Sequence, residues 1–393
     1  MMRRIELPVR AGWQRTADRL GFAYHTYPDG PYWTDDACYT IERSTVETVL
    51  RPAIAELWRL SLAVVEHACG DDRVLASLGI PEPAWNLVRA SWRRRDPAIC
   101  TRFDLACDGG APPKLHECNG DMPGALFEAA MFQWLWLEDR IAGATVPADA
   151  DQFNRLHLAL VGAFAQLPAA TPVHFAASRR NLEDRLWTRY LADCAAQAGL
   201  RTALVDIEAI GIDGTGRLTD AGDRRIEWLV KAYRWELLLR EPFGPWLLRP
   251  DQARLVEPAW KLVLSSKGLL VWLWRLFPGH PNLLPCWFAG EAGAPAERMV
   301  VKPLFSNKGH NILLRDPALP GGETRTGGTY GREGLVVQAL HRLPVFLRRD
   351  GRSHASVGGW IVGGEPAGLG IMEADGPVIH DATSRFVPHI VMS

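Results

Sequence analysis

The sequence predicts a mixed α/β (α+β) protein, and three observations carry that prediction. Residues 173–206 follow a strand–helix–strand order. Val173–Ala176 is a short apolar run, Glu183–Ala198 has amphipathic helical spacing ended by Gly199, and Thr202–Asp206 is a second apolar run. Strands separated by a crossover of that length pair in parallel, so a small parallel sheet is expected. Residues 101–119 form two short alternating runs around a Gly/Pro turn. Late in the chain, Met299–Lys302, Ile312–Leu314, Leu335–Gln338, Ser356–Val362 and Gly368–Met372 each have strand composition.

In chain order, residues 1–40 are irregular and aromatic, with turn chemistry at Tyr27–Trp33. Ser44-Thr-Val-Glu47 has the form of a capping box. It predicts the start of a long helix, and Val46, Val49, Leu50, Ile54, Leu57, Leu60 and Val64 extend the helical spacing to Gly70. Further helices are expected over Glu82–Arg94 and, after Met122-Pro-Gly124, over Leu126–Glu138. Pro147–Asp151 is polar and turn-rich, a plausible linker ahead of a helix at Asn154–Gln166. Gly211–Asp220 has the form of a hairpin turn, and Glu227–Tyr233 that of a strand. Trp235–Leu239 and Trp246–Leu264 are apolar and read as helices, punctuated by Ser265–Gly268. The expected division is a helical region with the hairpin (1–150), a small β-α-β subdomain (151–240) and a C-terminal region (241–393).

The composition of the 393 residues, 47% hydrophobic and 23% charged, supports a sizeable core. A net charge of −1 with interspersed signs gives no global field for nucleic acid or an anionic membrane. Seven scattered cysteines form no CxxC pair, which predicts unpaired thiols in a reducing compartment. The N-terminus lacks a hydrophobic signal core, and Gly268–Phe277 is too short to span a bilayer, so a cytoplasmic protein is expected.

The hairpin carries the most chemistry. Side chains change face at each strand residue, so a turn closed between Gly110 and Ala111 sets Asp104 opposite Glu117 and Arg102 opposite Asn119. Opposed carboxylates repel unless a cation sits between them, and Asp, Glu and Asn oxygens suit Mg²⁺. An ordinary hairpin with a solvated polar face fits the same spacing. Lys302 ends an apolar strand before the loop Ser306-Asn-Lys308-Gly309. A buried ammonium needs an anion, and such a loop can offer backbone N–H groups to phosphate. The loop does not match GxxxxGK[ST], and a surface hairpin with ordinary lysines remains open. Lys267 follows two serines at a helix entry. Gln338 lies at the end of an apolar strand able to present backbone groups to a flat heterocycle. No GxSxG, HExxH or Cys–His pattern points to a hydrolase.

Several stretches together resemble the glutathionylspermidine synthase-like branch of the ATP-grasp ligases, most closely its short members without an amidase domain. They are Pro31-Tyr-Trp-Thr-Asp-Asp-Ala-Cys38, Arg102-Phe-Asp104, Glu117-Cys-Asn-Gly-Asp121, Trp235-Glu236, Glu257-Pro-Ala-Trp-Lys261, Ser266-Lys267-Gly268, Phe277-Pro278, Val301-Lys302-Pro303, Lys308-Gly-His-Asn311 and Ser384-Arg-Phe-Val-Pro-His389. They are collinear and span nearly the whole chain. The resemblance implies an ATP-grasp-type fold with a small pre-ATP-grasp-like subdomain, its metal motifs preceding the nucleotide lysines. It implies ATP and two Mg²⁺ ions, with Asp104, Glu117 and Asn119 on the metals and Arg102 contacting phosphates and the phosphorylated substrate. Lys267 and Lys302 match nucleotide lysines, Lys308-Gly309 a phosphate loop, and Gln338-Ala339-Leu340 the strand beside adenine. Asp121, Glu183 and Asp184 match substrate contacts.

The implied reaction is ATP-dependent ligation of a peptide-like carboxylate to a small amine or amino acid through an acylphosphate. The sequence departs from the family at two places. Met372 stands where the resemblance implies an arginine, which makes a catalytically weak or inactive nucleotide- or peptide-binding protein the alternative. Arg385 stands where an acidic residue would hold a polyamine. It is expected either to replace the missing cation or to favour a carboxylate-bearing amine.

Overall fold

The computed structural model describes residues 2–380 and 383–392. A twisted antiparallel sheet forms its centre, in the order Arg385–Val387, Glu365–Ala374, Gly351–Val362, Cys100–Ala106, Lys114–Asn119, with Val345–Arg348 hairpinned onto Gly351–Val362. The predicted hairpin 101–119 is therefore one edge of a sheet completed from the far end of the chain. A second antiparallel sheet runs Cys286–Phe288, Leu335–Ala339, Met299–Pro303, Leu313–Arg315, Glu323–Arg325. The predicted β-α-β unit is present, as Val173–Ala177, helix Leu182–Gln197 and Thr202–Asp206, within a parallel sheet that adds Trp228–Ala232 and Arg254–Val256. That last strand lies beyond residue 240, so the expected boundary cuts through this sheet.

Two local expectations are corrected. The first long helix does not start from a capping box. Strand Ala37–Glu42 runs directly into helical backbone at Arg43, with no side-chain cap, and the Ser44 carbonyl instead accepts the Thr48 hydroxyl at 2.7 Å. The N-cap position falls on Glu42 at the strand end, not on Ser44, and its side chain makes no capping bond. The segment expected to be helical over 246–264 is broken. Pro250 and Pro258 bracket residues Arg254–Val256, which pair in parallel with Trp228–Val230. Sheet pairing overrides the apolar run there.

Helix Arg51–Gly70 buries Ile54, Leu57, Leu60, Val64 and Ala68, a stripe at helical spacing, against the back of the central sheet. Ile54 packs so closely that a Cβ on Gly359 would lie 2.5 Å from its Cδ1. Trp33, Trp136, Trp235 and Trp360 are fully buried, which accounts for part of the tryptophan content as core. All seven cysteines are unpaired, and all but Cys69 are buried. Among the described residues, no helix is long and apolar enough to cross a membrane.

Candidate active site

A cleft of about 640 Å³ opens between the two antiparallel sheets and the β-α-β unit. The hairpin register is the predicted one, with Arg102 opposite Asn119 and Asp104 opposite Glu117. Beyond Asp104 the register slips, because His116 is an extra residue between the pairs Asp104–Glu117 and Leu105–Leu115. Such a bulge leaves a residue out of the ladder and re-aims its groups. The His116 carbonyl accepts a hydrogen bond from Lys302 Nζ at 2.7 Å.

Arg102, Asp104, Glu117 and Asn119 all line the cleft. Arg102 donates to both Asp104 oxygens, at 2.7 and 3.0 Å, and to the Gly124 carbonyl at 2.5 Å. Asn119 Nδ2 donates to Asp104 Oδ2 at 3.0 Å. Glycine at 358 makes room for the arginine, since a Cβ there would stand 2.9 Å from Arg102 Cδ. Lys267 Nζ sits 2.9 Å from Glu117 Oε1 and donates to the Ser306 carbonyl. Burial pushes the Glu117 carboxyl up, but Lys267, Lys302 and Arg102 outweigh it and hold the group below its ordinary value. The repulsion expected between Asp104 and Glu117 is thus relieved here by Arg102 and Lys267.

Lys302 is 7% exposed and faces the cleft. It donates to the His116 carbonyl and to Gln338 Oε1 at 2.7 Å. Among the described residues, no carboxylate lies within ion-pair distance of it. Burial pushes its pKa down to about 8. Gln338 therefore positions Lys302 through its side chain, and its Nε2 is anchored on the Leu115 carbonyl at 3.0 Å. Gln338 and Leu340 line the cleft, whereas Ala339 does not. The N–H groups of Ala339 and Leu340 bond the carbonyls of Pro285 and Arg298. Lys308 and Gly309 both have left-handed backbone, and a Cβ on Gly309 would approach the Ile379 carbonyl oxygen to 2.5 Å.

Of the expected substrate residues, Glu183 and Asp184 lie in the cleft and Asp121 and Arg385 do not. Asp121 is buried. Its oxygens bond Lys231 Nζ at 2.5 Å and the Trp235 N–H at 2.7 Å, tying the end of the hairpin to the parallel sheet. Arg385 is also corrected. Met372 pairs with Phe386 and lines the cleft, so its neighbours Glu373 and Arg385 point to the opposite face. There Arg385 bonds Glu373 and Asp375, at 3.3 and 2.6 Å. It does not line the cleft beside Met372 and is not placed to replace a cation there.

The cleft also uses residues that sequence reasoning passed over, chiefly Tyr32, Arg234 and Arg342. Lysine scarcity was one available signal. The chain has only six lysines, and Lys231, Lys261, Lys267 and Lys302 are all buried.

Mg²⁺ was tested against the donors present. Among the described residues, no three His, Cys, Asp or Glu side chains gather as a metal cage. The shelf offers two carboxylates and one amide on a single face, next to the cations Arg102, Lys267 and Lys302. Such a set suits an ion that keeps waters and shares phosphate oxygens, so the residues fit Mg²⁺ delivered with a nucleotide.

The family model for the glutathionylspermidine synthase preATP-grasp family matches residues 4–392. The chain belongs to this family. A Haemophilus influenzae relative, provisionally named an acid–amine ligase, is 33% identical over 99% of both chains. The family also brings in larger proteins. The Escherichia coli bifunctional glutathionylspermidine synthetase/amidase is 27% identical over 90% of this chain and 59% of its own length. Crithidia fasciculata trypanothione synthetase is 27% identical over 80% and 51%. The chain thus spans little more than half of these two. A glutathione synthetase-like effector from Globodera pallida shares the fold, with TM-score 0.57 over 90% of this chain and 12% identity.

Proposed function

We propose that the protein is an ATP-dependent carboxylate–amine ligase, acting on a peptide-like carboxylate and a small amine or amino acid. Lys302 carries this reading. It is a buried ammonium in a cleft wall, held by neutral oxygens and, among the described residues, lacking a carboxylate partner, and so available to an anionic ligand. Relatives named as an acid–amine ligase and a glutathionylspermidine synthetase/amidase point to the same bond type.

In the first step a carboxylate oxygen attacks the γ-phosphorus of ATP and the bond to ADP breaks. The amine nitrogen then attacks the acyl carbon, the bond to phosphate breaks and the nitrogen loses a proton, leaving an amide. Lys302 and Lys267 hold phosphate charge, Lys308-Gly309 closes over it, and Arg102 faces the acyl group where oxyanion charge develops. Asp104, Glu117 and Asn119 would hold Mg²⁺, which when bound neutralises the transferring phosphoryl group. ADP release against a panel of carboxylate and amine pairs tests the activity. Glu117→Ala and Asp104→Ala should each abolish Mg-ATP-dependent thermal stabilisation, and unchanged shifts would overturn the metal assignment.

A second reading, nucleotide or peptide binding without turnover, is favoured by Met372, an apolar side chain lining the cleft where the family resemblance implies an arginine. Mg-ATP binding with no ADP release for any pair would support it.

A further inference from the structure

Arg234 is a cleft cation whose guanidinium, among the described residues, is ion-paired with Glu236 but makes no hydrogen bond. Its side chain is 17% exposed, and its nearest carboxylate, Glu236, is 3.8 Å away, beyond hydrogen-bond distance. Among the described residues its guanidinium donates no hydrogen bond, although it offers five N–H groups. It borders both the main cleft and a small side recess that Asn119, Met122 and Glu236 help to line. Its N–H groups are open to the cleft, and its planar fork suits a carboxylate.

Opposite charge lines the same cleft, near enough for Arg234 to act on Asp184, while Glu183 is paired with Lys308 at 2.7 Å. Glu183 and Asp184 begin helix Leu182–Gln197 and line the cleft. Burial, with Glu183 beside it, pushes the Asp184 carboxyl up to about 7, while Lys308 and Arg234 act against this. A carboxyl so placed gains from an incoming ammonium. A polyamine offers only positive charge and would meet Arg234 with repulsion. A molecule with an ammonium and a carboxylate satisfies both walls.

We propose that Arg234 binds the carboxylate of the acceptor, so that the acceptor is an amino-acid-type amine and not a polyamine. This rests on the ligase reading for the word acceptor, but the binding geometry stands without turnover. Arg234 is a specificity residue in this account, and Met122 and Asn119 shape the recess around it.

Amines that differ only by a carboxylate provide the test. L-Lysine is compared with cadaverine, and L-ornithine with putrescine, by calorimetry on the full chain with Mg²⁺ and a non-hydrolysable ATP analogue. The wild type should bind each amino acid at least about tenfold more tightly than its diamine, the scale of a lost charge-assisted contact. Arg234→Leu should erase that ratio, Arg234→Lys should restore part of it, and the nucleotide-dependent thermal shift should be kept as a check on folding. Equal or diamine-favouring affinities, no binding by any of the four, or a ratio unchanged in Arg234→Leu would overturn the proposal. If Arg234→Leu alters only the affinity of a peptide donor, the carboxylate belongs to the other substrate and the proposal also fails. Discrimination in binding without ADP release would uphold the subsite and count against the ligase reading alone.

Discussion

Lys308 Nζ lies 2.7 Å from Glu183 Oε2, an ion pair that joins the two walls of the cleft. Lys308 belongs to the loop proposed to cover phosphate, and Glu183 to the substrate side. A nucleotide that recruits Lys308 must draw it from Glu183, and this frees the carboxylate for an amine. Under the ligase reading, the pair would couple the two binding events. Glu183→Gln should tighten Mg-ATP binding by up to about fivefold, the scale of a solvent-accessible ion pair. Titration calorimetry reads this, and equal or weaker affinity in the variant would refute the coupling.

Lys302 must be charged to bind phosphate. Burial depresses its pKa to about 8, so in the free protein it loses its proton well below the ordinary lysine range. An anionic ligand favours the protonated form, so Mg-ATP affinity should weaken as pH rises through about 8. Lys302→Met should bind weakly at every pH, with that pH dependence gone. A wild-type affinity that is flat across this range would count against a role for Lys302 at the phosphates.

Gly120 lies between the metal shelf and the segment leading to Lys267. A Cβ there would stand 2.4 Å from Leu264 Cβ and 3.0 Å from its carbonyl carbon. Neither atom can swing aside, so Gly120→Ala must push the hairpin off the Leu262–Ser265 helix. The expected cost is about 1–3 kcal/mol of stability, with a smaller Mg-ATP-dependent thermal shift. Denaturant unfolding of the variant checks it, and wild-type stability would show that the close approach is dispensable.

Behind the cleft, Glu373 accepts hydrogen bonds from Arg4 at 2.9 and 3.2 Å, and from Tyr39 at 2.8 Å. Burial pushes its carboxyl up, but Arg4, Tyr39 and Arg385 prevail and keep it low. A carboxyl depressed on folding stabilises above its unfolded pKa, and that contribution is lost as pH falls through the folded value. Glu373→Ala leaves the buried Arg4 without this partner and should cost about 3 kcal/mol at neutral pH. The gap to wild type should narrow on acidification. A gap that stays constant down to the acid transition would mean the charge is not what matters.

The sequence by itself determined the local patterns. Alternation set Asp104 against Glu117, because strand side chains have a period of two. The order of apolar runs determined the β-α-β unit, and collinear short motifs placed the chain in its family. Tertiary structure decided which of the charged residues share a space. Asp121 and Arg385 carry the same charges in sequence as Glu183 and Arg234, yet only the latter pair face the cleft. Asp121 is drawn inward by Lys231, and Arg385 falls on the far face because its strand pairs Phe386 with Met372. The strand at 254–256 takes its place beside Trp228–Val230, and the bulge at His116 turns its carbonyl to Lys302. Propensity and period act over a few neighbouring residues, whereas register and burial are set by contacts between separate segments of the chain. The opening pair of carboxylates was therefore legible in the sequence, while the cations that balance them, and the arginine that makes no hydrogen bond among the described residues, required the fold.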